Sequence, residues 1–270
     1  MDLGIKGKNA FVTGGSKGIG LATAHALARE GACVWIAARR PSALAEAAAE
    51  IEKATGVQVG TLPFDVTSLA EIERLPDFVR NEMGGRIDLL VNNAGTGTYK
   101  PFLEVTDEEL MQGMAINFFA QFRICQRIVP FMKEQGGGSI VNVSGETGIR
   151  VTNAPMFSSC TGPAKSAEIR FSKVLASELA PYKIRVNCVV PGFVYTPERF
   201  GLWEKTIAKG SLTNEEAETE RGRWAANQGM LDTRWAKPDE LADLIVYALS
   251  ERASYVNGAV LVADNTCDKS

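Results

Sequence analysis

The chain has 270 residues, 45% of them hydrophobic and 23% charged, which is enough for one large globular domain with a full core. Its formal net charge is −3 with no run of basic residues, which argues against nucleic acid as the main partner. The opening MDLGIKGKNAFVTGG lacks a long apolar stretch, and no window approaches the roughly 18 apolar residues of a membrane span, so a cytoplasmic protein without a signal peptide is expected.

Strand-like and helix-like segments alternate from the start. NAFVTG (9–14) is a short apolar strand, and KGIGLATAHALARE reads as a helix. CVWIAA (33–38) is a second strand before the alanine-rich helix SALAEAAAEIEKA. VQVGTLPFD (57–65) predicts a third strand and SLAEIERLPDFVRNEM a third helix. DLLVNNAG (88–95) is a fourth strand, followed by a long helical stretch over 107–135 with acidic residues at its start, where the helix dipole favours them. SIVNVSG (139–145) is a fifth strand, a helix opens at Lys165, and KIRVNCVVPG (183–192) is a sixth strand. A helix starting near Pro238 and a last strand, GAVLVAD (258–264), complete the chain.

Nearly all-apolar strands alternating with amphipathic helices imply an α/β fold. The expected form is a Rossmann-type doubly wound parallel sheet of about seven strands, with helices on both faces, in one domain over 1–270. The segment from about 198 to 235 breaks the rhythm with a polar, helical sequence. An insertion at the carboxyl end of a sheet is placed to act as a substrate lid, or else as a structural appendage or subunit contact. Trp203, Trp224 and Trp235, with Phe200, suggest an apolar pocket wall, or packing of the insertion on the core. The five scattered cysteines form no CxxC pair and read as reduced thiols rather than disulfides or a metal site. The single histidine, His25, sits in a helix without convergent partners and reads as structural.

TGGSKGIG (13–20) joins the first strand to the first helix. Gly14, Gly18 and Gly20 permit a tight turn there, so that backbone N–H groups of the stretch from Ser16 through Lys17 and Ile19 approach a pyrophosphate at the helix N-terminus. An NAD site carries an acidic residue at the end of the second strand, but this chain has Ala37, Ala38, Arg39 and Arg40. Arg39, with Lys17 adding charge, favours the 2′-phosphate of NADP(H). Asp65 and Val66 end the third strand, with Asp65 placed either to touch the adenine or to cap the next helix at Ser68.

TGGSKGIG, NNAG (92–95), Asn117, Ser144, Lys165 and PGFVYT (191–196) occur in this order. Together they resemble the short-chain dehydrogenase/reductase family over nearly the whole chain, from Lys8 to Asp264. The resemblance implies an oxidoreductase with a small-molecule substrate, and a homodimer or homotetramer. It also implies that Asn93, Ala94 and Gly95 support the strand beside the cofactor, and that Asn117 holds a water near the lysine. Ser144 would donate to a carbonyl or hydroxyl oxygen, and Lys165 would bond the nicotinamide ribose. Pro191, Gly192, Val194 and Thr196 would cradle the carboxamide.

The family's tyrosine, four residues before the lysine, is its acid–base group, and Thr161 stands at that position here. An aliphatic hydroxyl is far too weak an acid to replace a phenol, though it can donate a hydrogen bond. The segment from Ser144 to Lys165 also looks about four residues longer than the family pattern, with Glu146 and Arg150 placed where either could face a polar substrate. Tyr99 and Tyr195 lie near the cleft by topology, as lining aromatics or substitute donors. Three readings follow. One is carbonyl/alcohol oxidoreduction on a small or medium apolar substrate, with Ser144 and Thr161 polarising the oxygen and a proton path through Asn117 and Lys165. A second is reduction of a conjugated C=C bond, which needs no phenol. The third is a non-redox or nucleotide-binding protein on the same fold.

Overall fold

The computed structural model describes residues 2–151, 156–203, 213–227, 230 and 234–267. The strands are β1 (Asn9–Thr13), β2 (Cys33–Ala38), β3 (Gly60–Pro63), β4 (Leu89–Asn92), β5 (Gly138–Val143), β6 (Ile184–Pro191) and β7 (Val260–Ala263). They form one sheet in the order β3-β2-β1-β4-β5-β6-β7, parallel at every pairing. The order reverses between β1 and β4, and that switch point opens a crevice at the carboxyl ends of the strands.

The helices are α1 (Gly18–Arg29), α2 (Pro41–Thr55), α3 (Leu69–Glu73), α4 (Leu75–Glu82) and α5 (Asp107–Met114). They continue with α6 (Ala120–Glu134), α7 (Thr161–Leu179), α8 (Pro197–Trp203), α9 (Asn214–Asn227) and α10 (Pro238–Leu249). Strand residues alternate between two cores, as a period of two requires. Ala10 and Val12 face α1, α2 and α10 through Leu27, Leu44, Ile51 and Ile245. Phe11 faces the opposite side, where Val79, Ile124, Ile128 and Ala176 pack. This is the doubly wound parallel sheet read from the sequence.

Four elements differ from expectation. The third strand is only Gly60–Pro63, because β3 is an edge strand whose register on β2 begins at Gly60 against Trp35. A Cβ on Gly60 would fall 2.1 Å from the Trp35 ring, so the crossing requires glycine. The helix expected over 68–83 breaks at Arg74, because Pro76 starts a new first turn and cannot donate to the preceding one. The long helix over 107–135 contains a π-helical turn, Ala115–Phe119, between α5 and α6. The last helix of the crevice starts at Thr161, not at Lys165, with Pro163 tolerated in its first turn.

In the 198–235 segment, of which residues 204–212, 228–229 and 231–233 lie outside the described residues, α8 and α9 bring Trp203, Trp224 and Trp235 together with Phe193. Trp203 is 1% exposed and Trp235 4%. The tryptophans therefore pack the insertion on the strand-six loop, and do not form the apolar pocket wall that was one of their two sequence readings.

Candidate active site

The turn after β1 is tied to the loop after β4. The Thr13 hydroxyl accepts from the backbone N–H groups of Asn93 (3.0 Å) and Ala94 (3.1 Å). The Asn93 side chain donates to the carbonyls of Thr13 (3.1 Å) and Gly14 (3.3 Å). Gly14 and Gly18 take left-handed φ values of 66° and 56°. A Cβ on Gly20 would lie 2.3 Å from the Gly14 carbonyl oxygen, so α1 can approach the turn this closely only with glycine there.

This turn opens into a cavity of about 540 Å³. Gly14, Lys17, Gly18 and Ile19 line one end, and Asn93, Ala94 and Gly95 line its floor. Ser144, Thr161 and Lys165 line it as well, as do Pro191, Gly192, Val194 and Thr196, the last packed against Gly18. Ser16, Gly20, Asn117, Arg39, Asp65 and Val66 do not line it. Asn117 is fully buried behind the wall and Gly20 is buried beneath the turn, while Arg39 is exposed at the end of β2. Asp65 does not cap α3: its carboxylate accepts from the backbone N–H (2.9 Å) and hydroxyl (2.8 Å) of Thr67, and Ser68 caps the helix itself. Lys17 contacts Glu198 of α8 at 2.5 Å, so its charge is shared with that carboxylate.

The side-chain hydroxyls and the amide are already committed to backbone. Asn117, aimed inward by the π-helical turn, donates to the carbonyls of Thr96 (2.9 Å) and Gly113 (3.0 Å) and accepts from Thr96 N–H (3.3 Å). The Thr161 hydroxyl accepts from Thr98 N–H (2.9 Å) and donates to Thr98 C=O (3.2 Å). The Ser144 hydroxyl donates to the Lys165 carbonyl (3.0 Å). Lys165 is 7% exposed, and its ammonium donates to Val143 C=O and to Glu168 Oε2, each at 3.0 Å. A Cβ on Gly95 would sit 2.9 Å from Asn117 Oδ1 and 3.3 Å from Lys165 Nζ, so these groups close on one point of the floor.

Three residues of this neighbourhood were missed or left open by sequence reasoning. Glu168 is fully buried beside Lys165, and burial raises its pKa to about 7 against the pull of the ammonium. Arg199 of α8 donates to the Tyr99 hydroxyl at 2.8 Å and lies over the Tyr99 and Phe193 rings. Glu146 is 2% exposed at the cavity wall, 3.5 Å from Arg150 and 3.6 Å from Arg199. Burial raises its pKa, and the two guanidinium groups oppose that rise. Tyr195, by contrast, points outward against Phe200 and Arg221 and does not line the cavity. Cys160, one residue from Thr161, donates to the Glu109 carbonyl (3.1 Å). His25 lies 3.1 Å from Glu50, away from the cavity.

The described cysteines are all free, and the described residues contain no cluster of three potential metal ligands. No described helix is long and apolar enough to cross a membrane.

Comparison with known proteins agrees with this geometry. The family pattern described as short chain dehydrogenase matches residues 8–206. A tropinone reductase homolog of Arabidopsis thaliana is 34% identical over 260 residues, spanning 96% of this chain and 90% of that protein. The 2,3-dihydro-2,3-dihydroxybenzoate dehydrogenase of Bacillus subtilis is 32% identical, spanning 97% and 96%. The structure of L-sorbose reductase from Gluconobacter frateurii, complexed with NADPH and L-sorbose, superposes with a TM-score of 0.92 at 33% identity, covering 100% of both chains. The chain belongs to the short-chain dehydrogenase family and is an NAD(P)-dependent oxidoreductase acting on CH–OH and C=O groups.

Proposed function

We propose that this protein is an atypical, tyrosine-less member of the family that interconverts a carbonyl and an alcohol on a small hydroxylated molecule with NADP(H). In this reading Thr161 stands in place of the tyrosine, and Lys165 is the acid at the reacting oxygen. One observation carries the reading. The Lys165 ammonium has three protons, and among the described residues only two meet protein acceptors, Val143 C=O and Glu168. The third is left for the cavity.

The residues present fit a dinucleotide. The left-handed glycines and the space that only glycine leaves at position 20 give the backbone close approach at the start of α1. Gly14, Ser16, Lys17, Gly18, Ile19 and Gly20 would hold the pyrophosphate, and Arg39 the 2′-phosphate. Asp65 and Val66 would meet the adenine, and Asn93, Ala94 and Gly95 would form the floor. Pro191, Gly192, Val194 and Thr196 would hold the carboxamide, while Lys165, expected from the resemblance at the ribose, keeps its third proton for the reacting oxygen. When bound, the cofactor supplies or accepts the hydride.

The chain's own groups then divide the remaining work. Lys165 places positive charge where oxygen becomes negative, which stabilises the transition state. Ser144 polarises the same oxygen once its hydroxyl turns from the Lys165 carbonyl. Thr161 fixes the Thr98 loop, and Asn117 ties that loop to α5. Tyr99, Arg199 and Glu146 supply the polar wall that favours hydroxylated substrates, and the superposing L-sorbose reductase supports this substrate class. From the 198–235 segment, Glu198, Arg199 and Leu202 of α8 line the cavity and would flank the substrate. The partly exposed cluster of Phe118 on the π-helical turn, Phe122 on α6 and Phe171 on α7 gives an apolar face for a second subunit.

The test is steady-state NADPH oxidation against a panel of simple ketones, polyhydroxy ketones and enones, with NADPH binding followed by fluorescence. Turnover of polyhydroxy ketones that is lost in Lys165→Met is expected. Tight NADPH binding without turnover of any carbonyl would overturn the proposal.

A further inference from the structure

Behind the cavity wall, out of reach of substrate, lies an ionisable group that contacts Lys165. Glu168 lies one turn beyond Lys165 on the buried face of α7, which carries Thr161, Lys165, Glu168, Ser172 and Ala176. It is 0% exposed, and its Oε2 accepts the Lys165 ammonium at 3.0 Å. Its Oε1 has no donor in hydrogen-bond geometry: the Ser144 hydroxyl beside the carboxyl lowers its pKa but gives its proton to the Lys165 carbonyl. A fully buried carboxylate satisfied at one oxygen only is costly, and a proton on the other relieves that cost.

Resting on the reading of this cavity as the hydride-transfer site, we propose that Glu168 is the positioning residue that stores the proton used in reduction and passes it to Lys165. The carbonyl carbon gains a hydride from reduced nicotinamide and forms the new C–H bond. The C=O π pair moves to oxygen, which takes one proton from the Lys165 ammonium. The Glu168 carboxylic acid turns its protonated oxygen to the freed amine and gives it the proton, leaving a carboxylate. The ammonium is thereby restored within the turnover, and Glu168 is the group whose charge changes. A solvent proton entering through the open cavity at Lys165 returns the pair to its starting state. Oxidation of an alcohol runs the same transfers in reverse.

The surroundings suit a carboxyl that titrates near neutrality. Burial raises its pKa to about 7, with Lys165 opposing. From the neighbouring elements it faces Cys125 of α6, Cys188 of β6 and Ser144 at the end of β5. Burial holds both thiols at about 12, so neither exchanges a proton near neutral pH. Ser172 binds the Glu168 backbone carbonyl (2.8 Å) and leaves the carboxyl free of it.

The experiment is a pH profile of reductive kcat for the wild type and Glu168→Gln. The wild-type rate falls as pH rises through about 7. In Glu168→Gln that inflection disappears and kcat drops about 100-fold, the usual scale of one general-acid contribution, while KM for NADPH changes little. An unchanged inflection in the variant overturns the proposal.

A second readout needs no turnover. Infrared titration of the protein without cofactor, in a Glu146→Gln background that removes the other described buried carboxyl with a raised pKa, follows the protonated C=O stretch. A band persisting to about pH 7, and moving higher in Lys165→Met, is expected. Absence of any carboxyl band above the ordinary carboxylate range overturns the proposal even if Glu168→Gln fails to fold. If the wild type reduces no carbonyl while the band behaves as expected, the functional reading fails and the proton store stands.

Discussion

Replacing Thr161 with valine separates a tie from a catalytic hydroxyl. The Thr161 hydroxyl makes two bonds to one residue, accepting from Thr98 N–H at 2.9 Å and donating to Thr98 C=O at 3.2 Å. Valine keeps the shape and removes both, leaving a backbone donor and acceptor without their partner. A buried polar group stranded this way costs about 1–3 kcal/mol, and Thr98 is only half-buried, so water recovers part of it. The expected loss is about 1–3 kcal/mol in all, or a Tm lower by about 2–10 °C for a chain of this size. Thermal and urea unfolding measure it, and Thr161→Ser should keep most of the stability. Because the hydroxyl serves the loop, kcat should fall by no more than about tenfold. An unchanged Tm with kcat lost by more than about 100-fold would refute this, since it would place the hydroxyl at the reacting oxygen.

Removing the exposed guanidinium in Arg39→Ser should lower the preference for NADPH over NADH by about tenfold or more, read as the ratio of the two kcat/KM values. Tyr99→Phe deletes the hydroxyl that Arg199 holds at 2.8 Å and should raise substrate KM while sparing kcat; a collapse of kcat alone would make Tyr99 the acid. Trp203→Ala empties a site that is 1% exposed and should cost about 3–5 kcal/mol in chemical denaturation. The pH dependence of stability should also carry Glu168. Its folded pKa of about 7 exceeds the ordinary 4.5, so its contribution is fully present below about 4.5 and is lost as pH rises through about 7. The loss is on the order of 3 kcal/mol, and Glu168→Gln should flatten that part of the curve.

The sheet was legible because it depends on local pattern. Apolar runs of strand length, a glycine turn between β1 and α1, and acidic helix starts each act over a few residues. The misreadings came where distant contacts decide. Nothing near Gly60 announces that β3 begins there, because the limit is set by its register on β2. The tryptophans of the insertion look like pocket walls until Phe193, from the loop after β6, is seen to occupy their centre.

In the candidate site, the residue types were legible and their commitments were not. Asn117, Thr161 and Ser144 come to the cavity or its wall as expected, yet each binds a backbone group that is remote in sequence or across a loop. Glu168 did leave a trace. Positions 161, 165, 168, 172 and 176 share one helical face, and a glutamate on such a face needs a partner. Arg199 left none, because its place depends on the path of α8 across the mouth of the cavity.

The most direct test of the central claim uses NADPH deuterated at the transferring C4 position, with a polyhydroxy ketone as substrate and mass spectrometry of the product. Deuterium bound to the former carbonyl carbon, at a rate that collapses in Lys165→Met, is the predicted result. No deuterium in any product while NADPH stays bound, or an unchanged rate in Lys165→Met, would contradict carbonyl reduction at Lys165.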